Sequence, residues 1–375
     1  MTPASRTAQP APLPTGGPAA LATIDALRGY AILLVMFVHA QQLFNPASEW
    51  LARAASEGAR GVQLFYIVSA YTLTRSLLHR LERNGEGIWQ AYAIRRFFRI
   101  APLFYLIVLV NFLDLGLSPR VWAPNGLTMA EVFSALVFVN AWIPNAITSV
   151  VDGGWSVAVE ANFYLLLPFL LLVATTARRA VLIALIGGLI GFTLSEGLVA
   201  YLRTTGTDAI TISFFKFWLP YQLLAFGLGI ALFYRPEMPF LRRAITFWPL
   251  LVVVAYVFFL RGKAFPIKVA CLGVFTVMML ENAGSLLVNR VAVFIGKISY
   301  SLYFLHFFVL RHLENPIRGA LSFIPGDDAR FLAGFVALTV ISSVLATLTW
   351  MLIEKPFIRL GSAVTARLKP ARAAA

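Results

Sequence analysis

An all-α, polytopic membrane fold of about ten transmembrane helices is predicted by three observations. The 375-residue chain is 59% apolar, with a mean hydropathy of +0.78, which is more apolar surface than a soluble domain can bury. Only 13% of its residues are charged, and the basic ones cluster between apolar runs. The runs are continuous rather than alternating, which argues against a transmembrane barrel.

Taken in order, residues 1–20 are rich in Ala, Pro, Thr and Gly and read as a disordered cytoplasmic tail rather than a cleaved leader, because no compact apolar core precedes the first long run. Spans are expected over 22–44, 59–79, 97–116, 154–176, 180–200, 214–234, 244–261, 266–287, 297–313 and 330–353. They form one membrane domain over 21–360, followed by a basic cytoplasmic tail over 361–375. Residues 127–143 are also apolar. Counting them as a span would carry Arg242, Arg243 and the basic tail to the outer side, against the Lys/Arg excess that marks the cytoplasm. They are therefore expected to form a re-entrant or half-buried helix packed on protein. The same charge count puts both termini inside. The formal charge of +14 is explained by orientation and anionic headgroups, so no nucleic-acid partner is expected. Cys271 stands alone in an apolar run, which excludes a disulfide framework. The absence of a clear internal repeat weakens an inverted-repeat transporter reading.

Four stretches carry chemistry. In DALRGYAILLVMFVHAQQ, from Asp25 to Gln42, Arg28 and His39 lie eleven residues apart. At about 100° per residue this is roughly 20° past three turns, so both side chains share one helix face about 16 Å apart along the axis. Ionisable groups inside a span usually mark a site. Arg28 is either a positive-inside anchor or the grip for an anion, and His39 is either a structural histidine or a proton acceptor. In IRRFFRIAP, residues 94–102, Arg96 and Arg99 point the same way on a helix and suit a phosphate, although a charge cluster serving only orientation fits as well. In GGWSVAVEANFYLLLP, residues 153–168, Trp155 reads as an outer-belt residue. Glu160 then lies about 7.5 Å deeper, at a depth where it could orient or charge His39. In GKISYSLYFLHFFVLRH, residues 296–312, Tyr300, Tyr303 and His306 recur every three residues and either line a wet cavity or bond across helices. Glu354, just before Pro356, reads as a helix stop. There is no Walker loop, no GxGxxG before a helix, no CxxC, no HExxH and no GxSxG elbow. Widely spread histidines make a metal site unexpected.

Together these residues resemble the integral-membrane acyltransferase-3 family, which O-acylates carbohydrates and other surface or secreted molecules. The resemblance covers residues 22 to 360. It rests on Arg28 and His39 with ten residues between them, on Arg96-x-x-Arg99, on Trp155 to Tyr164 with Val157 where leucine is usual, on Ser299 to His306, and on Glu354-Lys355-Pro356. The family's Phe-Phe-x-x-Ser-Gly reads FYIVSA here, keeping Ser69 but placing Tyr66 and Ala70 where phenylalanine and glycine are usual. The resemblance implies a multi-pass protein of a bacterial cytoplasmic membrane. It would move an acyl group, expected to be acetyl, from cytoplasmic acyl-CoA to a hydroxyl of a carbohydrate or other envelope or secreted acceptor. Catalysis would fall to His39 and Glu160, donor binding to Arg28, Arg96, Arg99 and Ser69, and acceptor binding to Trp155, Tyr164, Tyr300, Tyr303 and His306. The rival reading is a proton-coupled transporter or flippase of a lipid-linked sugar or small solute, with His39 and Glu160 as its proton relay.

Overall fold

The computed structural model describes residues 18–83, 87–260, 262, 264–282 and 285–367. Of the two expected tails, 1–17 and 368–375 lie outside the described residues. Residues 18–20 already belong to the first helix, and the last helix runs on to Arg367.

In chain order the helices are α1 (Pro18–His39), α2 (Glu49–Glu57), α3 (Gly61–Arg83), α4 (Ile88–Leu115), α5 (Met129–Leu136), α6 (Gly154–Val173), α7 (Ala177–Thr204), α8 (Ala209–Phe217), α9 (Leu219–Phe233), α10 (Ala244–Phe259), α11 (Phe265–Glu281), α12 (Arg290–Lys297), α13 (Ser299–Ala320), α14 (Asp327–Thr349) and α15 (Lys355–Arg367). Among the described residues, each stretch expected to span is largely helical, although the helix within 266–287 ends at Glu281. Among the described residues, six helices are long and apolar enough to cross a bilayer, or seven if α12 and α13, bent by 77° at Ile298, count as one span. The coarse reading, an all-helical multi-pass chain, is therefore what the structure supports.

The stretch 127–143 breaks into α5 and a single tight turn at Val139–Trp142, with Phe138 between them at a left-handed φ of 59°. Asn162 of α6 clamps this break. Its amide donates to the Phe138 carbonyl at 2.8 Å, and its carbonyl accepts from the Trp142 indole at 2.9 Å. The side chain thus supplies partners that irregular backbone lacks at membrane depth.

Small residues let the central helices touch. A Cβ on Gly29 of α1 would run into the Ala292 carbonyl of α12, and one on Gly296 into the Asp25 carbonyl. This contact fixes α1 around Arg28. Ala70 of α3 stands where glycine was expected, and Gly229 of α9 faces it. A Cβ there would collide with Ala70 and the Ile67 carbonyl. The close approach is preserved, with the glycine on the opposite helix.

Glu354 does not stop a helix. The chain passes from α14 through one π-helical turn, Trp350–Glu354, straight into α15. The Glu354 side chain is fully buried. It accepts from Arg99 at 3.0 Å, from the Ser301 amide at 2.9 Å and from the Ser301 hydroxyl at 2.5 Å, joining α4, α13 and α14. Breaking a buried pair from one side leaves its partners uncompensated. Glu354→Ala is therefore expected to destabilise the chain by about 3 kcal/mol. Thermal unfolding in detergent checks this, and an unchanged midpoint would contradict the hub role.

Candidate active site

Helix α4 begins at Ile88, well before the expected span start, so Arg96 and Arg99 sit within a helix and not in a flanking loop. With α1, α3, α6 and α13 it encloses a cavity of about 80 Å³ whose walls include Arg28, Ser69, Arg96, Arg99, Glu160, Tyr164, Tyr300 and Tyr303. Eight residues chosen from five separate stretches of sequence thus meet at one place.

Helix α6 serves as a ruler for this cavity. At the Tyr164 level, Arg96 lies over the Tyr164 ring at 5.8 Å, and Arg99 lies over the Tyr300 ring at the same distance. One turn on, Glu160 accepts a very short hydrogen bond from Ser69 and another of 2.8 Å from the Tyr164 hydroxyl. A further turn on, the Ser156 carbonyl accepts from Tyr66 at 3.1 Å, and the Ser156 hydroxyl donates to Tyr303 at 2.8 Å. From Tyr164 to Ser156 is about 12 Å along the axis. The order is therefore guanidinium groups, then a carboxylate held by two hydroxyls, then a tyrosine wall.

The three arginines are not equivalent. Arg99 is paired with Glu354 at 3.0 Å, and Arg28 lies 3.8 Å from Asp25. Arg96 makes no ion pair among the described residues, and its buried Nε has no hydrogen-bond partner. A buried donor left open costs free energy unless a ligand meets it, so Arg96 is the cation best placed for an anion. An arginine fork matches phosphate oxygens.

Beyond the tyrosine wall lies a wider vestibule of about 630 Å³, which holds His39, Gln42, Asp152, Trp155 and Arg311. His39 closes α1. Its Nδ1 is 3.2 Å from the Gln42 amide nitrogen, and its ring centroid is 4.6 Å from that of Phe307 and 5.2 Å from that of His306. The expected contact between His39 and Glu160 is not made. Glu160 faces the arginine cavity and His39 the vestibule, because Tyr303 stands between the two levels. Trp155, expected in an outer belt, is half-buried, stacks on Phe217 at 4.6 Å and borders the vestibule.

The polar stripe of α13 divides. The Tyr300 hydroxyl donates to the Ile100 carbonyl at 2.7 Å and that of Tyr303 to the Gly153 carbonyl at 2.9 Å, so both cross helices and also line the cavity. His306 is fully buried, with Nδ1 3.1 Å from the Leu302 carbonyl, and lines neither space. Its ring centroid lies 5.2 Å from that of His39, and its Nε2 is buried without a hydrogen-bond partner. Sequence reasoning missed Ser156, Val62 and the Asp152–Arg311 ion pair at the vestibule. Only the Gly153-Gly154 turn beside Asp152 hinted at the last.

A family model described as an acyltransferase domain matches residues 21–354. A Staphylococcus aureus protein provisionally named an O-acetyltransferase is 22% identical over 367 residues, covering 89% of this chain and 56% of its own length. A protein of Acidianus two-tailed virus, provisionally named an acetyltransferase, is 27% identical, covering 83% of this chain and 88% of its own. The peptidoglycan O-acetyltransferase OatA of Listeria monocytogenes is 25% identical, covering 79% of this chain and 50% of its own. The chain thus spans about half the length of these two bacterial relatives. No solved structure matches.

Proposed function

The chain belongs to the acyltransferase-3 family, and from that premise we propose that it is a membrane O-acyltransferase. It moves an acyl group, acetyl first, from acyl-CoA on the cytoplasmic side to a hydroxyl of a carbohydrate or other envelope or secreted acceptor. Its place is a bacterial cytoplasmic membrane, with ten spans over about 21–360 and both termini inside.

The observation that carries the reading is the axial order of the site. Three guanidinium groups flank the inner cavity, and the tyrosine that ends it also borders the vestibule holding His39. A phosphate-bearing donor meets Arg96 first, with Arg28 and Arg99 adding positive potential. Glu160 acts from this donor side. It holds Ser69 and Tyr164 in place and offsets part of the arginine charge. His39 acts from the acceptor side as general base. The acceptor O–H bond breaks and its proton passes to the imidazole. The new ester C–O bond forms as the thioester C–S bond breaks, and the departing thiolate takes the proton. His39 and Glu160 thus work in sequence from two compartments, not as a hydrogen-bonded couple.

Membranes carrying the chain, given acetyl-CoA labelled in the acetyl group, are expected to move label onto an envelope acceptor. Passage of unmodified solute without label transfer would replace this reading with a carrier.

A further inference from the structure

We propose that Val62 and Tyr303 form the constriction through which the acyl group alone passes, and that they hold the donor to short acyl chains. The proposal rests on the acyltransfer reading above. The inner cavity and the vestibule have two lining residues in common, Val62 of α3 and Tyr303 of α13. Anything handed from the arginine side to the His39 side must pass between them.

Neither residue can retreat. Val62 follows Gly61, where a Cβ would run into the Ala31 carbonyl of α1. Gly58, just upstream, stands equally close to the Leu34 carbonyl. Backbone-to-backbone contact therefore locks the start of α3 against α1. The Tyr303 hydroxyl is held between the Ser156 hydroxyl at 2.8 Å and the Gly153 carbonyl at 2.9 Å. Gly153 has φ +71°, and a Cβ there would meet the Tyr303 hydroxyl at 2.8 Å. The nearby wall is equally firm, because Tyr66 is 1% exposed and stacked on Phe226 at 4.3 Å.

A space of about 80 Å³ whose far end is closed by Val62, Tyr66 and Tyr303, each held by packing or hydrogen bonds, suits the end of a thioester with a two-carbon acyl group. Each added methylene must displace packed atoms, and close-packed interiors resist that. The hydroxyl arrives from the vestibule and attacks the thioester carbon at the constriction. Its proton goes to His39, the C–O bond forms, the C–S bond breaks, and the thiolate is reprotonated. No further reactant is needed.

The test uses the full chain in native membranes that carry the acceptor, with acetyl-, propionyl- and butyryl-CoA labelled in the acyl group. Wild type is expected to favour acetyl over butyryl by at least about tenfold, the scale on which hydrophobic pockets discriminate by methylene. Val62→Ala removes two methyl groups and is expected to raise the butyryl-to-acetyl ratio by about tenfold. Val62→Leu is expected to lower it. A ratio taken within one preparation does not depend on how much protein folds. An unchanged ratio in Val62→Ala, or equal use of acetyl and butyryl by wild type, overturns the proposal and leaves acyl transfer standing. Failure of wild type to transfer from any of the three donors overturns the acyltransfer reading and this proposal with it.

Discussion

His39→Ala is expected to lower acyl transfer by about two to four orders of magnitude, the contribution of a positioned general base. The reason is geometric. His39 lies at the end of α1 on the vestibule wall, with Nδ1 engaged near Gln42 and the ring braced by Phe307 and His306. It is the imidazole that both lines the vestibule and shares a helix with Arg28. No ion pair or interhelical hydrogen bond of the described residues involves its side chain, and its contacts to the neighbouring helix are ring packing alone. Insertion and donor binding should therefore persist in the variant. Labelled acyl transfer, normalised to membrane-inserted protein, checks this. Near-normal transfer would remove His39 from the mechanism.

Arg96→Ala is expected to raise the KM for acyl-CoA by about 10- to 100-fold, corresponding to loss of charge-assisted hydrogen bonds worth about 1.5–3 kcal/mol. Arg96 has no internal ion pair to lose, so thermal stability should hardly change. Arg99→Ala should behave differently, weakening the donor and also destabilising the chain, because Glu354 would be left buried with Ser301 alone. Arg96→Lys should recover only part of the loss, since an ammonium group lacks the planar fork. Titration of acyl-CoA against initial rate separates these cases. Equal behaviour of the two alanine variants would contradict the distinction between a free and a committed arginine.

The motif residues illustrate what was legible. Arg28, Arg96, Arg99, Glu160, Tyr300 and Tyr303 stood out by local spacing, Ser69 and Tyr164 by the family resemblance, and all eight meet around one cavity. The failures share a cause. Glu354 looked like a helix end because a proline follows two residues later, yet a π-helical turn carries the helix through and turns the carboxylate onto Ser301, 53 positions away in sequence. Glu160 and His39 looked placed to couple, yet Glu160 borders the arginine cavity and His39 the vestibule. Ala70 stands where glycine is usual in the family, and Gly229 on another helix supplies the close approach there.

By itself the sequence determined the all-helical membrane class, the position of most helices and the residue types that carry chemistry. Those properties follow from hydropathy and from the 3.6-residue period, both of which act within one segment. Tertiary structure alone decided which arginine is left open, which hydroxyls hold Glu160, and that Tyr303 and Val62 border both the arginine cavity and the vestibule of His39. Those outcomes depend on how helices cross and how closely their backbones approach, and small residues on partner helices far away in the chain set that distance.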